Sequence, residues 1–138
     1  VPKIVDYKTR VARKRFNPGA ARQIPLYPKF LSVWTTHVAK GKGATSKVLI
    51  TATVGVRAVN GNPQIRFYFF KNGRVFYTAQ RGVTCSEKNA IITFQVIDKG
   101  DKYGFGSDYT ISVVNVTKRT KASLVGPMNF SALSLSKN

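Results

Sequence analysis

Acidic residues are nearly missing from this 138-residue chain: five Asp and Glu stand against 23 Lys and Arg, a formal net charge of +18. From Tyr7 to Ser86 there is no carboxylate at all, while fifteen Lys and Arg occur there. An imbalance of this size speaks to partners rather than to fold. It exceeds the ~2 to 8 charges usual for a small domain and points to nucleic acid, an acidic membrane surface or an acidic protein lattice. Cysteine is reduced to Cys85, which excludes an internal disulfide and any multi-cysteine zinc site. With His37 the single histidine and so few acids, no Ser-His-Asp or Cys-His spacing is present. The chain is therefore expected to be no enzyme and to carry no metal and no cofactor. No apolar run approaches the ~20 residues of a membrane span, and no signal peptide is recognisable. The start at Val1 rather than Met reads as a processed or shortened chain.

What is present divides the chain in two. Residues 1–29 carry Lys3, Lys8, Arg10, Arg13, Lys14, Arg15, Arg22 and Lys29 against the single acid Asp6, with four of the six prolines, Pro2, Pro18, Pro25 and Pro28. Proline removes amide donors and forbids a long helix, and Asn17-Pro18-Gly19 is a turn signal. The segment is expected to be a basic arm outside the core: a short helix between Asp6 and Phe16 when bound, or otherwise an extended arm lying over the body or reaching away from it. Its eight cations suit phosphates without a sequence-reading geometry. The interspersed Ile4, Val5, Tyr7, Val11, Phe16, Ile24, Leu26 and Tyr27 suit docking on protein as well.

From Phe30 to the end, residues 30–138, the apolar period is two. Val48, Ile50, Ala52, Val54 and Val56 share one face of a long strand within Ser46–Val59. Gln64–Phe70 alternates Ile65, Phe67 and Phe69 with Arg66, Tyr68 and Phe70, and Asn72-Gly73 supplies a tight hairpin to Val75–Thr78. Further strands are expected at Leu31–Val38, Ala90–Ile97, Tyr109–Val116, Ala122–Val125 and Met128–Leu135. This is an all-β sandwich or barrel.

Lys102 to Tyr109, KYGFGSDY, has the basic, glycine and aromatic order of an RNA-recognition submotif. The helices that such a fold needs are absent, and the string is expected as a loop leading into a strand. Asp98, Asp101 and Asp108 beside Gly100, Gly104 and Gly106 have the oxygen chemistry of a calcium loop. Their spacing fits a solvated turn, or salt bridges to a neighbouring subunit, better. His37 reads as a strand residue at an edge or interface. The glycosylation patterns at Asn115 and Asn129 fall on or near expected strands and read as coincidence. Phe67, Tyr68, Phe69 and Phe70 put rings on both faces of one strand, with Phe76 and Tyr77 returning beside them. Tyr68, Phe70, Phe76 and Tyr77 are the candidate oligomer interface, or else a stacking surface for single-stranded nucleic acid.

The strands KVLITATVGV, IRFYFFKNGRVF, ITFQVID, GSDYTISVVN and NFSALSLSK resemble, in order, the single jelly roll of the tumour necrosis factor and C1q type in its viral structural variants. The arm joined to that body resembles small viral capsid and minor capsid proteins. The resemblance implies a jelly-roll sandwich of about eight antiparallel strands, a homo-oligomer (trimer or capsid lattice) with other capsid proteins, a virion location, and genome or neighbour contacts through the arm. Two other readings stand beside it: a single-stranded nucleic-acid-binding β-barrel, and a trimeric receptor-binding domain of the tumour necrosis factor type, which predicts a mixed-charge surface this chain lacks.

Overall fold

A computed structural model describes residues 3–11, 22–40, 46–86, 89–99 and 106–136. Nine strands run in order: β1 (Lys3–Val11), β2 (Arg22–Gln23), β3 (Leu31–Val38), β4 (Lys47–Asn60), β5 (Gln64–Lys71), β6 (Arg74–Gly82), β7 (Ala90–Lys99), β8 (Ser107–Asn115) and β9 (Lys121–Ser136). They form two antiparallel sheets, β1-β9-β4-β7 with β2 also on β9, and β3-β8-β5-β6. In each sheet the last long strands lie between earlier ones, so the chain wraps back and forth between two layers. That interleaving is the jelly-roll sandwich expected from the strand pattern.

Alternation builds the core. Val48, Ile50, Ala52, Val54 and Val56 of β4 turn inward, facing Ile65, Phe67 and Phe69 of β5 and Tyr109, Ile111 and Val113 of β8. Trp34 stacks on Phe130 at 5.5 Å, and Phe67 meets Phe94 at 4.7 Å, which joins the two layers through rings. Each such fully buried apolar side chain contributes about 1.5–3 kcal/mol. The Asn72-Gly73 hairpin has φ of 50° and 83°, the positive values a two-residue turn requires.

Three expectations need correction. The first concerns the arm's place: Lys3–Val11 is extended, as expected, but is a strand of the body, pairing with β9 from Lys3↔Ser136 to Val11↔Asn129. A nine-residue extended segment beside a long strand satisfies its backbone groups through the ladder. Residues beyond β2 also contribute to the core: Ile24 is 1% exposed and its amide donates to the Ala122 carbonyl at 2.9 Å. Second, Ala122–Val125 and Met128–Leu135 are one strand. The register runs Val54↔Met128 and then Val56↔Leu124, so the stretch holding Gly126 and Pro127 bulges out. A proline without an amide hydrogen is tolerated there. Third, one extra residue is accommodated in β6, since Phe69 pairs with Tyr77 and Phe70 with Val75. That bulge turns Phe76 inward.

Candidate interaction surfaces

The two ends of the sandwich differ in charge chemistry. At one end lie the start of β1, the end of β3, the β5–β6 hairpin, the end of β7 and the start of β8. There Asp98 accepts from Lys40 Nζ at 2.9 Å, from Lys71 Nζ at 3.1 Å and from the Tyr109 hydroxyl at 2.5 Å. The Lys40 side chain is 1% exposed and that of Asp98 12%. Burial alone would raise the Asp98 carboxyl, but the hydrogen bonds from Tyr109, Lys40 and Lys71 outweigh it and hold the group below the usual carboxylate range. Burial lowers Lys40, with Asp98 offsetting part of the effect. The Tyr109 phenol is pushed up, first by burial and then by its bond to Asp98, so it stays protonated.

The other described carboxylates share this end. Asp6 accepts from the Ala39 amide at 2.9 Å and lies 4.0 Å from Lys8 Nζ. Asp108 Oδ1 is 2.7 Å from His37 Nδ1 on the exposed edge formed by β3. His37 thus sits at a sheet edge, as expected. Asp98 is bound by cations of its own chain, and Asp101 lies outside the described residues, as do Lys102–Phe105 of the KYGFGSDY string. Tyr109 of that string is core, 2% exposed.

At the opposite end the β8–β9 turn carries Lys118, Arg119 and Lys121, all exposed. The turn is braced. Buried Asn115 donates through Nδ2 to Thr120 Oγ1 at 2.9 Å and accepts the Thr117 amide at 3.0 Å, and Thr120 Oγ1 donates to the Thr117 carbonyl at 2.8 Å. Thr117 Oγ1 in turn accepts the Gln64 amide. Alongside run residues 25–29, tied by Tyr27 N to the Asn115 carbonyl and Asn115 N to the Pro25 carbonyl, each 2.9 Å. Between them lies a cleft of about 70 Å³, lined by Leu26, Tyr27, Asn115, Val116 and Lys118.

The outer face of the β3-β8-β5-β6 sheet bears a ring cluster. Phe30 packs edge-on against Tyr68 at 5.0 Å and Phe70 at 6.5 Å, with Tyr27 6.3 Å away. Arg66 donates to the Tyr68 hydroxyl at 3.1 Å. Tyr27 is 60% and Phe30 45% exposed. Of the four rings expected to form an interface, Tyr68 and Phe70 join this face. Tyr77 is 44% exposed and lies against Phe69, whereas Phe76 packs on Phe69 and Tyr109 beneath the sheet. The outer face of the other sheet holds a row that the sequence reading missed: Tyr7↔Leu133, Leu133↔Leu49 and Leu49↔Ile97 stand in register across all four strands. Its outer members Tyr7 and Ile97 are 57% and 60% exposed. Leu49 was legible on the outward face of β4; its row required the β1 pairing.

The eight expected binding cations are spread out. Lys3, Lys8 and Arg10 lie in β1, Arg22 in β2, and Lys29 follows Pro28, its amide bonded to the Leu26 carbonyl. Arg13, Lys14 and Arg15 lie outside the described residues.

No protein-family model matches the chain, and no curated protein matches it in sequence. Solved structures do resemble it in fold. The protein of the T13 infectious bursal disease virus particle superposes with a TM-score of 0.61 at 11% identity over 96% of this chain and 31% of its own. That of the Gx strain of the same virus gives 0.61 at 9% over 97% and 33%, and the VP2 subviral particle 0.57 at 13% over 96% and 32%. This chain therefore spans about a third of the length of the chains it resembles.

Proposed function

We propose that this chain is a structural subunit of a viral shell, a non-enzymatic jelly roll that assembles with copies of itself and with other capsid proteins in the virion. The observation that carries this reading is the outer ring face, Tyr27, Phe30, Tyr68 and Phe70, on a sandwich that superposes over nearly its whole length on a protein of a viral particle. An apolar surface of this kind, flanked by Arg66, has the chemistry of a subunit contact. The finer parts of the reading extend it: Tyr68, Phe70 and Tyr77 contribute to subunit contacts, and the basic N-terminal residues Lys3, Lys8, Arg10, Arg13, Lys14, Arg15, Arg22 and Lys29 engage genome or neighbouring protein. Light scattering on the wild-type chain and on Phe30→Ser/Phe70→Ser tests the contact. The wild type should form a multimer, and the double variant, with an unchanged melting profile, should shift to smaller species. A well-folded double variant with the wild-type mass distribution would overturn the ring face as the contact.

A further inference from the structure

The cationic end of the sandwich has the features of a built site. Three cations fall within four positions, Lys118, Arg119 and Lys121, on a turn that cannot flex freely because Asn115 and Thr120 lock it from both sides. Arg119 holds a φ of 64°, off the ordinary range for a side-chain-bearing residue, as its place in the tight turn requires. Gly61 closes in behind it, where a Cβ would stand 2.8 Å from Thr120 Cγ2. Arg22 enters the same end through its register with Leu124, and Lys29 through the residues 25–29 bonded to Asn115.

Two further features point to what the cations meet. Among the described residues every carboxylate lies at the far end and is bonded there, so no described ion pair engages this cluster. The cleft beside Lys118 is lined by Leu26, Tyr27, Asn115, Val116 and Lys118. Its rim carries the exposed Tyr27 ring, and Phe30 stands 6.3 Å from that ring. Cations for a backbone beside rings for bases are the pairing used to hold single strands.

We infer that the β8–β9 turn, with residues 25–29, is a binding site for single-stranded nucleic acid: Lys118, Arg119 and Lys121 hold successive phosphates, and Tyr27 stacks on a base. This deepens the proposed shell function by adding a genome contact on the folded body, separate from Arg13, Lys14 and Arg15. It is read by binding on dispersed protein, so its failure would leave the assembly reading untouched.

Fluorescence anisotropy with a labelled oligothymidine 20-mer tests it on the full chain, comparing wild type with K118E/R119E/K121E, Tyr27→Ala and a distant control, Lys47→Glu. The triple variant should bind at least about tenfold more weakly near 0.1 M salt, and its plot of log affinity against log salt should flatten by about 2, at ~0.7 per lost single-strand phosphate contact. Tyr27→Ala should weaken the single strand by more than it weakens a duplex of the same length. Lys47→Glu should change the salt slope by less than half as much. Equal affinity and slope for wild type and triple variant, both folded by their melting curves, would overturn the site. So would poly-glutamate displacing the oligonucleotide at equal charge concentration, because an acidic polypeptide would then be the occupant.

Discussion

The two ends of this sandwich contain similar residue types and use them in opposite ways. At the β5–β6 end, Asp98 gathers Lys40, Lys71 and Tyr109 into a closed cluster, so charge there joins one layer to the other. At the β8–β9 end, Lys118, Arg119 and Lys121 are displayed on a braced turn with no described carboxylate among them. The first arrangement ties the two layers together, and the second leaves its cations at the surface. Among the described residues, Asp98 stands where the buried Lys40 needs a partner, and Lys118, Arg119 and Lys121 have no carboxylate beside them.

The sharpest way to break this contrast is Asp98→Asn. It leaves Lys40 buried beside a neutral amide, and removal of one partner from a buried pair costs about 3–5 kcal/mol. Denaturant unfolding should show that loss. The matching change at the other end, K118E/R119E, should stay within about 0.5 kcal/mol, as expected of surface positions.

A middling effect is expected at the brace. Asn115→Ala removes the bonds to Thr117 and Thr120 and leaves a buried pocket of polar atoms, a loss of about 1–3 kcal/mol. It should weaken oligonucleotide binding even though no cation has changed. Gly61→Ala sharpens the same point. Its φ of +72° and the 2.8 Å approach to Thr120 strain any side chain, so it should destabilise by about 1–2 kcal/mol.

Acid separates the ends further. The folded-state pKa of Asp98 lies below its unfolded value, so its contribution is present above the ordinary aspartate range and is lost as pH falls through the lower, folded value. Wild-type stability should drop on acidification below about pH 4, and Asp98→Asn should lack that part of the drop. The smallest effect belongs to Lys121→Ala, which should leave melting unchanged and flatten the salt dependence of oligonucleotide binding by about 0.7.

How much of this was legible beforehand follows from what each residue reports. Strict alternation gave β4, β5 and the Asn72-Gly73 hairpin almost to the residue, because a strand with one buried face writes its period into the chain. Tyr68 and Phe70 were assigned to one face by the same parity, and the structure puts them there together. Phe76 escaped because a one-residue bulge reverses parity. β1 escaped for a different reason: at an edge strand, lysines and arginines can alternate with Ile4, Val5 and Tyr7 without cost, so its composition matched that of a free arm. Ile24 was hidden among prolines and arginines for want of any periodic neighbours. The Asp98 cluster joins residues 40, 71, 98 and 109, and only the topology brings those positions together. The braced turn was present as Asn115, Thr117 and Thr120, but their hydrogen bonds run across the turn and leave no spacing signature.

Sedimentation velocity of the purified chain, with and without an oligothymidine strand at low salt, tests the central claim most directly. The strand should drive formation of a discrete multi-subunit species, and both K118E/R119E/K121E and Phe30→Ser/Phe70→Ser should reduce it, the first by losing the strand and the second by losing the neighbour. A chain that stays a single folded subunit at every concentration, with and without the strand, would contradict it.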